Sequence, residues 1–294
     1  MDRKRDMVVS DRTSNWGLQQ RLEFIEFRLF WEGRLNRSDL IEFFGISRPQ
    51  ASIDLARYIE MAPGNIIYDR KQKTYLAART FRPALGHAET SDAYLELLLA
   101  RERPKANFLG WAPTAEVVKY PRRRVETEVL RQVLSAIRKH LMLQVEYQSM
   151  NRPNPTSRAI SPHAIAFDGF RWHTRAYCHD NKAFRDFVFA RILKVHKSSA
   201  TSIDPRKDDA WHHVLKLVLA PHPKLTTAQK RAVALDYGMN KERKVVHTRQ
   251  ALAFYLLRQL GLDHNGHAAE AKAQHVVLVN RDEVARVINA QDQS

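Results

Sequence analysis

The sequence predicts a modular α+β protein: a helical N-terminal domain, a helical connector, a small all-β domain and a small C-terminal α/β domain. Three observations predict it. Apolar residues recur with helical spacing from residue 15, and two short helices follow around a glycine. Three runs between Leu141 and Val195 are rich in β-branched and aromatic residues and are bounded by Pro, Asn, Asp and Gly. Beyond residue 204, strand-like and helix-like segments alternate. The expected boundaries are 15–80, 81–139, 140–200 and 204–294.

Composition narrows the class. The chain has 294 residues, enough for two or three domains with real cores. A hydrophobic share of 44% and a charged share of 27% are ordinary for a soluble globular protein. No run approaches the ~18 apolar residues of a membrane span. The start, Met1 to Asp6, is charged and lacks the apolar stretch of a signal peptide. A single cysteine, Cys178, excludes an intrachain disulfide and fits a reducing cytoplasm; it reads as a small apolar strand residue rather than a catalytic thiol. The net charge of +16 points to a polyanionic partner, nucleic acid first.

Residues 1–14 are polar and are expected to be disordered. From Asn15, Leu18, Leu22, Ile25 and Leu29 follow one helical face, and Phe24, Phe27 and Trp31 widen it until Gly33 ends the helix. Ser38 suits the N-cap of a short second helix. Gly45 gives a tight turn, Ile46 plugs the gap between helices, and Ser47 caps a third helix from Arg48 to about Met61. Pro49 is tolerated there in the first turn. A short helix, a glycine turn and a second capped helix make a helix-turn-helix. Asn65 to Leu76 reads as a hairpin with a basic tip, and the whole resembles a winged helix-turn-helix domain. Ser47, Arg48, Gln50, Ser52 and Arg57 supply the short polar and forked donors that a recognition helix needs. The wing cations Arg70, Lys71 and Lys73 suit the DNA backbone or minor groove.

The connector, Phe81 to Lys139, is cut by Pro83, Pro104, Pro113 and Pro121. Tyr94–Ala100 and Val125–Lys139 are expected helices, with a loop at Trp111–Pro113 and a basic run at Arg122–Arg124.

In the β region, strands are expected at Leu141–Ser149, Phe170–His179 and Asp186–Val195. Alternation puts Leu143, Val145, Tyr147 and Ser149 on one face, and Arg185, Phe187, Phe189 and Arg191 on one face. The segments Val145-Glu-Tyr147-Gln-Ser149, Arg158-Ala-Ile-Ser-Pro162-His163, Arg171-Trp172-His173 and Arg185-Asp-Phe187-Val-Phe189-Ala-Arg191-Ile192 together resemble the WYL domain. That resemblance implies an Sm-like β-barrel. The name-giving triplet is Trp172-His173-Thr174 in this chain. Arg185 and Arg191 offer permanent charge for phosphate, Tyr147 and Trp172 can stack on a base, and Ser149, His163 and His173 add hydrogen bonds, with Phe187 among them. The set suits a nucleotide, an oligonucleotide or a nucleic-acid end.

After a linker at Ser198–Pro205, strands are expected at Val214–Leu219, Val245–His247 and Val276–Val279. Helices are expected at Thr226–Tyr237, Gln250–Leu260 and Arg281–Asn289. The order resembles the extension that follows the WYL domain in related regulators and often dimerises there. The Leu252/Leu256/Leu257/Leu260 face is a candidate dimer surface. Phosphate-loop, nucleophile-elbow and zinc-protease motifs are absent. Neither His212/His213 nor His264/His267 has the setting of a zinc site, so no metal, cofactor or enzyme activity is expected. The resemblance implies a cytoplasmic, homodimeric transcriptional repressor of bacterial phage-defence genes. It would bind an inverted-repeat operator in double-stranded DNA and respond to a nucleotide or oligonucleotide effector. Rival readings are a ligand-binding module of a defence effector and an RNA-binding protein.

Overall fold

A computed structural model describes residues 3–86, 90–99, 108–116, 118, 121, 123–263, 271 and 273–292. The chain forms two compact units, residues 1–119 and 120–294. The expected α+β class holds.

The first unit opens with α1 (Arg3–Glu32). The helix starts well before Asn15, which corrects the expected disorder; the added stretch has no Gly or Pro to break it. Then come β1 (Arg34–Leu35), α2 (Arg37–Phe44), α3 (Arg48–Met61), β2 (Ile66–Asp69) and β3 (Thr74–Ala77). The three strands form an antiparallel sheet in the order β1-β3-β2. Leu22, Ile25 and Leu29 of α1 meet Leu40, Leu55 and Tyr58 in one core, as the helical spacing requires. Glu26 is buried in that core. Its carboxylate accepts from the Tyr58 hydroxyl at 2.9 Å and from the Ala84 and Leu85 amides at 2.6 and 2.8 Å. Burial first, and the neighbouring Glu26 charge, push the Tyr58 hydroxyl pKa up.

The α2 cap falls at Asn36 rather than Ser38, which lies inside the first turn. Asp39 takes the Asn36 amide at 2.6 Å, so a carboxylate at the third helical position does the work assigned to Ser38. Gly45 sits at φ +66°, the left-handed region that ends α2 and starts the turn. Ser47 accepts the Gln50 amide at 3.3 Å and caps α3, with Pro49 in its first turn. The connector contributes α4 (Ser91–Leu99) to this unit. Pro104 and Arg122 lie outside the described residues.

In the second unit, α5 (Thr127–Lys139) precedes β4 (Leu141–Tyr147), β5 (Thr156–Phe167), β6 (Trp172–Cys178), β7 (Ala183–Val188) and β8 (Ile192–Ala200). These pair antiparallel in the order β7-β6-β5-β4-β8, and no ladder among the described residues joins the two outer strands. Val129, Val133 and Ala136 of α5 seal a core of Leu143, Val145 and Ile160. The strand expected at Asp186–Val195 is two strands separated by a 3-10 turn, Phe189–Arg191. Phe189 and Ile192 are both core residues, an odd spacing that a straight strand would send to opposite faces. β8 also runs into the expected linker as far as Ala200.

The C-terminal part holds α6 (Asp209–His212), β9 (Val214–Pro221), α7 (Thr227–Asp236), β10 (Lys244–Arg249), α8 (Gln250–Gln259), β11 (Val276–Leu278) and α9 (Arg281–Asp292). Its sheet order is β10-β9-β11, antiparallel. On α8, Leu257 is buried and Leu256 and Leu260 pack against the same core, so this apolar face is turned into its own domain. His264 and His267 lie outside the described residues, and no described helix is long and apolar enough to cross a membrane.

Ile160 is fully buried at the centre of the β-domain core. Ile160→Ala should destabilise the second unit by about 2–5 kcal/mol, read as a lower urea midpoint by circular dichroism.

Candidate nucleic-acid interface

Ser47 and Arg48 are exposed at the start of α3, Arg57 is exposed further along it, and Gln50 and Ser52 are half-buried. The Ser52 hydroxyl donates back to the Arg48 carbonyl at 3.1 Å. Gln50 is held from behind: its amide nitrogen donates to Asp54 at 2.9 Å. Asp54 is 0% exposed and accepts the Arg21 guanidinium of α1 at 2.6 and 3.4 Å. The Gln50 amide is thereby oriented, with its side-chain oxygen free of any bond to Asp54. Gln50 and Asp54 are four residues apart, a helical pairing that the sequence carries. Arg21 has no such signal.

The wing tip is folded by Asp69, which accepts the Lys71 and Gln72 amides at 2.8 and 3.0 Å. Arg70, Lys71 and Lys73 are exposed around it, with Lys73 at φ +52°. Tyr68 and Tyr75 pack across the hairpin, ring centroids 4.8 Å apart. Arg37, at the first position of α2, donates to the Tyr75 hydroxyl at 2.8 Å and lies over its ring. It fixes the wing to the helix-turn-helix and was not singled out from the sequence.

The eight residues singled out on the β-domain fall into three settings. Tyr147 and Phe187 are core residues with rings 5.1 Å apart, and the Tyr147 hydroxyl accepts the Val188 amide at 3.3 Å. His163 and His173 are enclosed in ion-pair networks. Ser149, Trp172, Arg185 and Arg191 lie outside the core. The Ser149 hydroxyl accepts the Asn151 amide at 3.2 Å, and Trp172 is half-exposed against Phe167 at 4.8 Å. Arg185 is exposed on β7, and Arg191 is half-buried where the 3-10 turn meets β8. The structure does not gather all eight into one pocket.

What it gathers is a charged seam that sequence reasoning missed. His163 sits at a bulge in the β5–β6 ladder, a device that re-aims a side chain. Its Nε2 lies 2.8 Å from Asp208, the N-cap of α6. Asp208, 1% exposed, also accepts two bonds from the Arg175 guanidinium at 2.8 and 2.9 Å. Arg175 reaches Asp186 at 3.2 Å, and Asp186 accepts the Tyr255 hydroxyl of α8 at 3.0 Å. The Tyr255 ring packs on His173 at 4.9 Å, and His173 Nε2 is 2.8 Å from Asp168. Asp168 further accepts the Phe170 and Arg171 amides and the Arg171 guanidinium. Burial pushes the Asp168 carboxyl up, but the bonds from His173, the two amides and Arg171 outweigh it and hold the pKa at about 2. Burial likewise raises Asp208, and His163 with Arg175 brings it down to about 2. Among the described residues no cluster of His, Cys, Asp or Glu is arranged to hold a metal ion.

Family models match in chain order. Residues 17–100 match the BrxR transcriptional regulator winged helix-turn-helix domain, residues 128–197 the WYL domain, and residues 214–284 the BrxR transcriptional regulator C-terminal dimerization domain. A DNA-binding transcriptional repressor CapW of Stenotrophomonas maltophilia is 43% identical over 273 residues, covering 92% of this chain and 91% of that protein. The chain belongs to the CapW family of DNA-binding transcriptional repressors. CapW proteins of Escherichia coli (strain KTE188) and Pseudomonas aeruginosa are 38% and 40% identical, over 96% and 94% of this chain and 95% and 93% of theirs. A solved structure of proteasome accessory factor B/C (PafBC) of Arthrobacter aurescens aligns with 93% of this chain and 48% of its own. At a TM-score of 0.26 and 17% identity, that likeness carries no argument. In this chain the second and third matched segments are joined by the charged seam, through Asp186 and His173 on one side and Tyr255 on the other.

Both seam carboxylates ionise more readily folded than at their usual 3.8. Their stabilisation is therefore present above about pH 4 and is lost as pH falls toward 2. Asp208→Asn should cost about 3 kcal/mol near neutral pH, the low end for a broken buried pair, because Arg175 keeps Asp186 as its one remaining carboxylate. Thermal melts of wild type and variant at pH 6, 4 and 2 should converge toward the lowest pH, as the wild-type carboxylate takes up its proton.

Proposed function

We propose that the chain acts as a homodimeric repressor on double-stranded DNA and that an effector on the WYL domain alters its affinity. The observation that carries this is the α3 start: Arg48 is exposed, and Gln50 is braced by buried Asp54, which Arg21 of α1 holds in turn. A braced amide loses little freedom on contact, which favours a base edge over a loose phosphate contact. Ser47, Ser52 and Arg57 complete the helix side of the interface, and Arg70, Lys71 and Lys73 meet backbone phosphates from the wing. The names of the relatives support repression. The match of residues 214–284 to a dimerization domain supports a two-fold dimer on an inverted repeat.

The effector of this reading is a nucleotide or oligonucleotide. Arg185 and Arg191 attract its phosphate, Trp172 offers a stacking face, and Ser149, also outside the core, adds a hydroxyl. His163 and His173 sit behind, in the seam, and Tyr147 and Phe187 support β7 from the core. The regulated genes are those of phage defence, on the strength of the family resemblance, and the protein works in the cytoplasm.

Operator titrations by fluorescence anisotropy test the DNA reading. Arg48→Ala and Gln50→Ala should each lower discrimination between operator and scrambled duplex by about 1–3 kcal/mol per lost base contact. Lys73→Ala should weaken both duplexes alike and flatten the salt dependence by about one phosphate. Unchanged operator binding in Arg48→Ala and Lys73→Ala together would sink the assignment. Sedimentation should show a dimer at micromolar concentration; a monomer both free and on DNA rejects the two-fold reading. With a candidate nucleotide present, Arg185→Ala should remove the response and leave DNA affinity in its absence unchanged.

A further inference from the structure

The β5–β6 turn and the end of α8 enclose a cleft of about 420 Å³, large enough for a mononucleotide. Its walls carry three guanidinium groups, Arg123, Arg171 and Arg258, and one carboxylate, Asp168. Asp168 is already satisfied, by Arg171, His173 and two amides at 2.6–2.9 Å. Its charge is therefore offset within the wall. Arg123 and Arg258 are exposed and form no ion pair among the described residues. Two forked, permanently charged groups with no carboxylate of their own are the donors that suit a phosphate dianion.

Two of the three remaining lining residues, Phe170 and Tyr255, are aromatic. Phe170 is 48% exposed, and the Tyr255 ring is fixed, because its hydroxyl is engaged by Asp186 and one side of it rests on His173. Rings at the edge of a cationic cleft favour a planar base attached to the phosphate. The walls are locked together. Gly169 lies at φ +87°, and a Cβ there would come within 1.9 Å of the Gln259 amide. That amide donates to the Asp168 carbonyl. The two walls are thus tied by the Gln259 side chain lying on the Asp168–Gly169 backbone.

We infer that this cleft is a second anion site, distinct from the sheet-face set, and that it takes a nucleoside phosphate, either free or as the phosphorylated end of a strand. None of its lining residues belongs to the Arg185 and Arg191 set. Arg123 precedes α5 on the connector, Arg171 belongs to the β-domain, and Arg258 lies in the segment that matches the dimerization model. A phosphate held by all three ties the connector, the β-domain and the dimerization segment at one point. The inference stands whether or not the chain's effector acts through the sheet face.

Calorimetry on the full-length chain tests it, with AMP, a 5′-phosphorylated four-nucleotide DNA strand, the same strand without its phosphate, and inorganic phosphate as probes. AMP or the phosphorylated strand should bind, and Arg123→Ala and Arg258→Ala should each weaken binding at least tenfold. Arg258→Lys should recover part of the loss, and Arg123→Ala should weaken binding by the same factor in an Arg185→Ala background, where any sheet-face site has been removed. Circular dichroism melts unchanged in the two alanine variants show that the effect is local; both side chains are exposed. Binding of AMP identifies a free nucleotide as the ligand, and binding of the phosphorylated strand alone identifies a strand end. No binding of either probe, or binding retained when Arg123→Ala and Arg258→Ala are combined in the Arg185→Ala background, overturns the site. Inorganic phosphate binding as tightly as AMP overturns the role of the rings. The DNA reading is judged by operator titration and the cleft by AMP calorimetry, so failure of the one is read apart from failure of the other.

Discussion

The second unit depends on the pairing of Arg175 with Asp208. Both are almost wholly removed from water, and a buried ion pair is stabilising only if its geometry is good and its remaining donors and acceptors are occupied. Here they are: the guanidinium forks onto Asp208 and turns its third nitrogen to Asp186, and the carboxylate takes His163 as well. Because Asp208 also caps α6, the same carboxylate that neutralises the sheet starts the helix laid against it. The face of the sheet opposite its apolar core is therefore covered by charge rather than by leucines. Such a seam tolerates little slippage, since a shift of an ångström would strand several charges at once.

The first unit applies the same logic on a smaller scale. Asp54 is fully buried on the inner face of α3 and is balanced by Arg21, while Gln50 uses its remaining acceptor capacity. Glu26 plays a matching part between α1, α3 and the start of the connector. In each case a carboxylate in the interior fixes how two helices meet, and at Asp54 the half-buried Gln50 amide beside it inherits a defined direction.

Much of this fold was legible in the sequence, for physical reasons that also mark where legibility stops. Ser47, Pro49 and Gly45 are read locally because capping and left-handed φ are decided within a few residues. Strand parity was read correctly for Leu143, Val145 and Tyr147, which do share a face. Parity tells which residues are together but not whether that face meets solvent; here it meets α5, and Tyr147 lies in the core. His163 and His173 were noticed as polar residues, yet their partners Asp208 and Asp168 were not. The first contact spans 45 residues, and no periodicity encodes it. The 3-10 turn at Phe189–Arg191 escaped because its apolar residues look like a continuous strand until the spacing of Phe189 and Ile192 is followed into the core.

Asp208 lies in the gap between the stretches that match the WYL and dimerization models, residues 128–197 and 214–284. A boundary drawn from sequence similarity would treat residues 198–213 as spacer and cut there. Energetically that gap is the keystone. A β-domain excised at residue 197 would keep His163 and Arg175 and lose the carboxylate that faces them. A chimera that took its C-terminal part from a distant relative would fold only if the donor's spacer brought an acid to the same place. The piece that can be exchanged as a whole therefore runs from α5 through α9, and the modular appearance of the chain overstates how freely its parts can be recombined.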